Sequence, residues 1–176
     1  MTINHLLYDL GSPANIGTIM RSVYVLCGKS SKLFIFDPRG NLQKYKDDIE
    51  RISTGLSNHN HFAVVANIDD FVRNYSGRKI TTEITPSAVS LAEFSFLPDD
   101  LVIYGNENRG IPESITTIAD ASVIVPMLGE NYALPQTEKQ VASNYGDFPN
   151  LNVGHVVSIV SYEALRQLGS FKEFKL

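Results

Sequence analysis

The sequence predicts an α/β domain with a mainly parallel sheet and helices on both faces. Two observations carry this. Short apolar runs rich in Val, Ile, Phe and Leu, several of them bounded by Gly, Pro, Asp or Asn, alternate with stretches of helical periodicity, the pattern of βα units. The chain also has 176 residues, 43% hydrophobic and 19% charged, which suits one core and one domain spanning residues 1–176.

The runs at residues 3–8, 33–36, 62–66, 79–85, 101–104 and 121–125 read as strands. Helical spacing links Ile16, Ile19, Met20, Val23 and Cys27, and again Val153, Val156, Val157, Val160, Ala164 and Leu168. Residues 128–150 break the alternation: they hold Gly129, Pro135, Gly146 and Pro149 with little periodicity. A loop of that length reads as a lid or substrate loop, or as a tolerated insertion.

Composition narrows the function classes. No apolar run is long enough to span a bilayer, and the N-terminus lacks the basic flank and cleavage site of a secretory leader. The single cysteine, Cys27, excludes an internal disulfide and a cysteine-rich metal site, and a reducing cytoplasm is expected. His59 and His61 form a His-x-His without further ligands nearby, so no metal is expected. The formal charge of -4 argues against a broadly basic nucleic-acid binder. Arg21, Lys29, Lys32, Arg39, Lys44 and Lys46 form the densest basic group, which reads as solvated surface or as a local patch for one substrate.

In a parallel α/β sheet, ligands bind beyond the carboxyl ends of the strands. Three polar segments leave predicted strands there. In the first, residues 12–21, Asn15 suits a helix cap, Gly17 permits close approach, and Arg21 shares a helix face with Gly17. In the second, residues 101–112, a buried strand ends at Gly105 and a charged turn closes at Gly110. Ile111 and Pro112 stand where a phosphate loop needs Lys and Ser or Thr, and no dinucleotide fingerprint occurs, so a different nucleotide-using α/β enzyme is disfavoured. Glu107 in this turn is free to bond backbone or ligand, or to pair with Arg109 or Arg21. In the third, residues 123–127 and 150–155, Pro126 ends a strand, Asn152 reads as the N-cap of the last helix, and His155 reads as solvent-facing.

Together these segments resemble the SpoU family of SPOUT RNA methyltransferases. Asn15, Gly17 and Arg21 match its first motif, Asn-x-Gly-x-x-x-Arg. Gly105, Glu107 and Gly110 match the second. Pro126, Met127, Leu151 and Asn152, running into Tyr162 and Glu163, match the third. The resemblance implies a deep trefoil knot near the C-terminus, a homodimer built through the knotted region, and methyl transfer from S-adenosylmethionine to an RNA ribose 2′-hydroxyl, with S-adenosylhomocysteine as product. It assigns Tyr104, Gly105, Asn106, Gly110, Ile124, Pro126, Met127, Leu151 and Asn152 to the cofactor, and Arg21, Asn15 and Glu107 to catalysis, with Asn15 and Glu107 positioning Arg21. Arg21 and Asn150 would meet the substrate. Asn150 stands where the family has serine, and the stretch between Met127 and Leu151 is longer than usual; an inactive RNA-binding or dimerisation module of the same fold is the alternative. The chain begins almost at its first strand, so no N-terminal RNA-binding extension is expected, which favours a compact tRNA over a ribosomal site.

Overall fold

The computed structural model describes residues 2–56, 61–127 and 151–172. In chain order the elements are β1 (Asn4–Tyr8), α1 (Pro13–Cys27), β2 (Leu33–Phe36), α2 (Asn41–Lys44), α3 (Lys46–Ser53), β3 (Phe62–Val64), α4 (Ile68–Asn74), β4 (Lys79–Thr81), β5 (Val89–Ser90), β6 (Leu101–Tyr104), α5 (Glu113–Thr116), β7 (Ala121–Ile124) and α6 (Val153–Gln167). The strands form a seven-stranded sheet in the order β3-β2-β1-β6-β4-β7-β5. Every pairing is parallel.

Strand alternation divides the core between the two faces of the sheet. On one face Leu7 packs with Ile16 and Val23 of α1 and with Val157 and Val160 of α6. On the other, Leu6 and Ile103 pack with Val72 of α4 and Ile115 of α5. Helices therefore cover both faces, as the sequence predicts. β6 lies between β1 and β4, and all four of its residues are fully buried. That is why it reads as an unbroken apolar run. The strand predicted at 79–85 stops at Thr81, and the chain beyond it becomes a loop whose Glu83 carboxylate takes the Ile111 N–H at 2.6 Å. β5, two residues long, and the short helices α2 to α5 carry too few turns to show a period in sequence. The expected knot and the loop at residues 128–150 depend on a path outside the described residues.

α1 is the hub of its face, packing on both α3 and α6. Its close approach to α3 rests on Gly17. A Cβ there would lie 2.8 Å from Ile52 Cβ and 3.1 Å from the Ile49 carbonyl oxygen. Deeper in the same core, His5 is fully buried between the Tyr104 hydroxyl, 3.3 Å from its Nδ1, and the Cys27 sulfur, 3.7 Å from its Nε2. Burial drives its pKa from 6.5 down to about 3, so the ring is neutral in the fold.

This packing sets two expected outcomes. Gly17→Ala gains about 1 kcal/mol of helix propensity but drives a methyl into a backbone carbonyl and a β-branched carbon, a cost of about 1–3 kcal/mol; urea unfolding should show net destabilisation. For His5 the unfolded chain takes up the proton that the fold refuses. Stability should therefore be full above pH 6.5 and fall as pH drops toward 3, by up to about 1.4 kcal/mol per pH unit. Unfolding at pH 7.5 and 5.5 measures this, and His5→Phe should flatten the difference.

Candidate active site

The loops leaving β1, β4, β6 and β7 converge at the carboxyl edge of the sheet, where α6 also begins. The turn after β6 is the most constrained. Asn106 and Gly110 close it with two backbone hydrogen bonds, of 3.1 and 2.8 Å, and Gly110 has a φ of 65°, in the region that favours glycine. Gly105 is fixed by crowding instead: a Cβ there would sit 2.5 Å from the Gly110 carbonyl carbon and 2.8 Å from Glu83 Oε1. The Asn106 side chain accepts the N–H groups of Asn108 and Arg109 and donates to the Asp9 carbonyl at 2.6 Å.

This turn carries Glu107 back across the sheet to the loop after β1. Its carboxylate accepts the Gly11 N–H at 2.8 Å, the Ser12 N–H at 3.2 Å and the Asn15 side-chain amide at 2.8 Å. Burial pushes the carboxyl up, but bonds from Gly11, Asn15, its own N–H and Ser12 outweigh it and hold the pKa below the ordinary value. Asn15 passes the connection on. Its carbonyl oxygen accepts from the Asn152 amide at 3.0 Å, and Asn152 accepts the Gly154 N–H at 2.8 Å at the start of α6. One polar chain thus joins all three segments singled out in the sequence.

Several residues do other work than the sequence suggests. Ser12, followed by Pro13, caps α1; Asn15 is the residue whose N–H it receives, and its side chain is left for Glu107 and Asn152. Glu107 makes neither ion pair left open for it, since its partners are Gly11, Ser12 and Asn15, and Arg109 binds Asp9. Asn152 does cap the last helix, and His155 is exposed.

Beside this network lies a cavity of about 250 Å³. Of the residues the sequence assigned to a cofactor, Gly105, Asn106, Ile124, Met127, Leu151 and Asn152 line it, as does Glu107. Tyr104 lies in the core against His5, Gly110 closes the turn behind the cavity, and Pro126 lines a separate apolar groove with Leu26, Ile159 and Tyr162. The sequence missed Thr82, Glu83 and Ile84, and the walls from Val123, Val125, Val153 and Val156. A carboxylate inside the predicted strand at 79–85 was the signal that the strand ends early. Arg21 is exposed on α1, six residues past Asn15, about 9 Å along the axis. Among the described residues it has no ion pair. Asn150 lies outside the described residues.

Known proteins share this fold. The tRNA (cytidine(34)-2′-O)-methyltransferase of Escherichia coli strain K12 is 29% identical over 170 residues, covering 95% of this chain and 94% of that protein. A solved structure concerned with 2-OH methylation of C/U34 on tRNA superposes with a TM-score of 0.75 at 23% identity, covering 96% of this chain and 97% of the other. The SpoU methyltransferase AviRb from Streptomyces viridochromogenes, solved with AdoMet, gives 0.70 at 23% identity, covering 96% of this chain and 61% of that one. The SpoU rRNA Methylase family model matches residues 3–134, well over half of the sequence. The chain belongs to the SpoU rRNA methylase family.

Proposed function

We propose that the chain transfers the methyl group of S-adenosylmethionine to a ribose 2′-hydroxyl of tRNA, at nucleotide 34 of the anticodon loop. The observation that carries this reading is the Glu107–Asn15–Asn152 chain, which ties the three motif segments together beside a cavity. The cavity's chemistry suits the cofactor. Ile84, Val123, Ile124, Val125 and Val156 offer apolar walls to a purine ring, while Thr82, Glu83 and Asn106 supply the few polar groups that a ribose and an ammonium need. Position 34 is supported by the E. coli relative, which this chain matches along nearly its whole length and whose name specifies cytidine 34.

S-adenosylmethionine supplies a methyl already activated on a sulfonium, so the protein's task is largely orientation. Glu107 and Asn15 hold the loop after β1 in place. Arg21 is assigned to the substrate: its guanidinium is exposed and free of ion pairs among the described residues. As the ribose oxygen attacks the methyl carbon, the S–CH3 bond breaks to leave neutral S-adenosylhomocysteine and the hydroxyl proton passes to water. A guanidinium is a donor and not an acceptor, so its role is to stabilise the developing alkoxide and hold the neighbouring phosphate. Asn150 is assigned to the same substrate.

The active form is read as a homodimer. Tyr162 is 54% exposed and Ile159 39%, and with Leu26, Val125 and Pro126 they form an apolar groove. A second copy of the chain covering it would bury what water otherwise meets. Among the described residues no helix is long and apolar enough to cross a membrane; the cytoplasm, where tRNA is found, is the assigned compartment.

Three outcomes are expected. Mass mapping of tRNA from cells with and without the protein should lose one 2′-O-methyl at nucleotide 34; loss at another RNA would redirect the substrate. Arg21→Ala should lower methyl transfer by at least ~100-fold while calorimetry finds S-adenosylmethionine affinity within a few fold of the parent. A parent chain that binds no cofactor would instead be an inactive module. Tyr162→Arg should turn a dimer into a monomer in sedimentation experiments.

A further inference from the structure

Next to the Glu107 network stands a second charged cluster that methyl transfer itself does not use. Asp9 follows β1 with a φ of 51°, an uncommon conformation for a residue other than glycine, and is 6% exposed. Its carboxylate accepts from Arg39 Nε at 2.6 Å and is also bonded by an Arg109 terminal nitrogen. Its carbonyl accepts from Arg39 Nη2 at 2.7 Å and from the Asn106 amide. One buried carboxylate therefore braces two cations, and both are open to solvent: the Arg39 side chain is 43% exposed and that of Arg109 64%.

The balance of charge and donors does not suit a purely structural strut. Asp9 alone does not balance two arginines, and Glu107, across Gly11, forms no ion pair with either among the described residues. Of the ten N–H donors on two guanidinium groups, three are spent on Asp9. The others have no partner among the described residues, and both side chains are open to solvent, where a guanidinium's planar donors suit phosphate. The cluster's position is equally specific. A Cβ on Gly11 would lie 3.4 Å from Arg39 Nη2 and 3.6 Å from Glu107 Oε2, so the cation and the site's carboxylate flank one backbone position. Neither arginine lines the cavity. A ribose brought to the cavity carries phosphates on both sides.

We infer that Arg39 and Arg109, braced by Asp9, form a phosphate clamp for the RNA strand entering the site past Gly11. The inference rests on the proposed RNA substrate and adds a binding site outside the three motifs' assigned roles. Asp9 fixes both forks before binding, so little rotamer entropy remains to be lost when a phosphate arrives.

The test is fluorescence anisotropy with total tRNA across a potassium chloride series, alongside calorimetry with S-adenosylmethionine. Arg109→Gln leaves the Arg39–Asp9 pair intact and should fold. It should weaken tRNA binding several-fold at low salt and reduce the slope of log affinity against log salt by about 1, with cofactor affinity unchanged. In the triple variant Asp9→Asn, Arg39→Gln, Arg109→Gln, the first change avoids a stranded buried charge, and the slope should fall by about 2. Unaltered tRNA affinity and slope in both variants, in a protein whose parent methylates tRNA, would overturn the clamp alone. A parent with no salt-dependent tRNA binding would overturn the substrate reading and the clamp with it.

Discussion

The Glu107 carboxylate is the constraint on which the rest of the site depends. It is half-buried, which by itself would favour the neutral acid, yet donors from the loop after β1 keep it ionised. Hydrogen bonds to a charged group contribute about 1.5–3 kcal/mol each, roughly twice the neutral kind. Two of the donors are backbone N–H groups at the mouth of α1, so the carboxylate fixes where that helix begins. Asn15, held by Glu107 on one side, holds Asn152 on the other, and Asn152 caps α6. Loops from strands that are neighbours in the sheet but about a hundred residues apart in sequence are thereby locked to one another and to the last helix.

Backbone geometry obeys the same demand. The turn carrying Glu107 must be tight enough to point back over β1, which is why Gly105 tolerates no Cβ and Gly110 takes a positive φ. Asp9 accepts the same unfavourable conformation without being glycine, and its carbonyl and carboxylate together gather Asn106, Arg39 and Arg109. Strain of this kind persists only where surrounding bonds over-determine it. The site therefore divides into two physical regimes. The cavity wall is apolar and tied to the ends of buried strands, whereas the face past Gly11 is cationic and open to water.

How much of this is legible in the sequence depends on the physics behind each feature. β6 reads clearly because it is buried on both faces, and the two long helices because fifteen residues show several turns of a period. β5 and the short helices carry no such signal. At the site, the resemblance to the SpoU motifs singled out Asn15, Glu107 and Asn152, but partners are a property of three dimensions. Ser12 and Asn15 are both good caps, and only the fold shows that Glu107 competes for Asn15. Glu107 and Arg109 are neighbours in sequence that pair with different loops. Tyr104 and Pro126 flank cavity residues yet face a core and a groove, a difference that only the fold displays. Glu83 sits within the predicted strand at 79–85, and its carboxylate marks where that strand gives way to a loop.

At a net charge of -4 the chain as a whole repels polyanions. Affinity for RNA, which comes largely from neutralised phosphates, must then be drawn from a few cations placed where the strand passes. A chain so built gains little from indiscriminate contact along the rest of its surface. The Arg39–Arg109 pair lies past Gly11 at the carboxyl edge of the sheet, and braced guanidinium forks reward a phosphate only in the right place. The acidic composition and an RNA substrate are then compatible: a few local cations suffice for attachment where the general surface offers none.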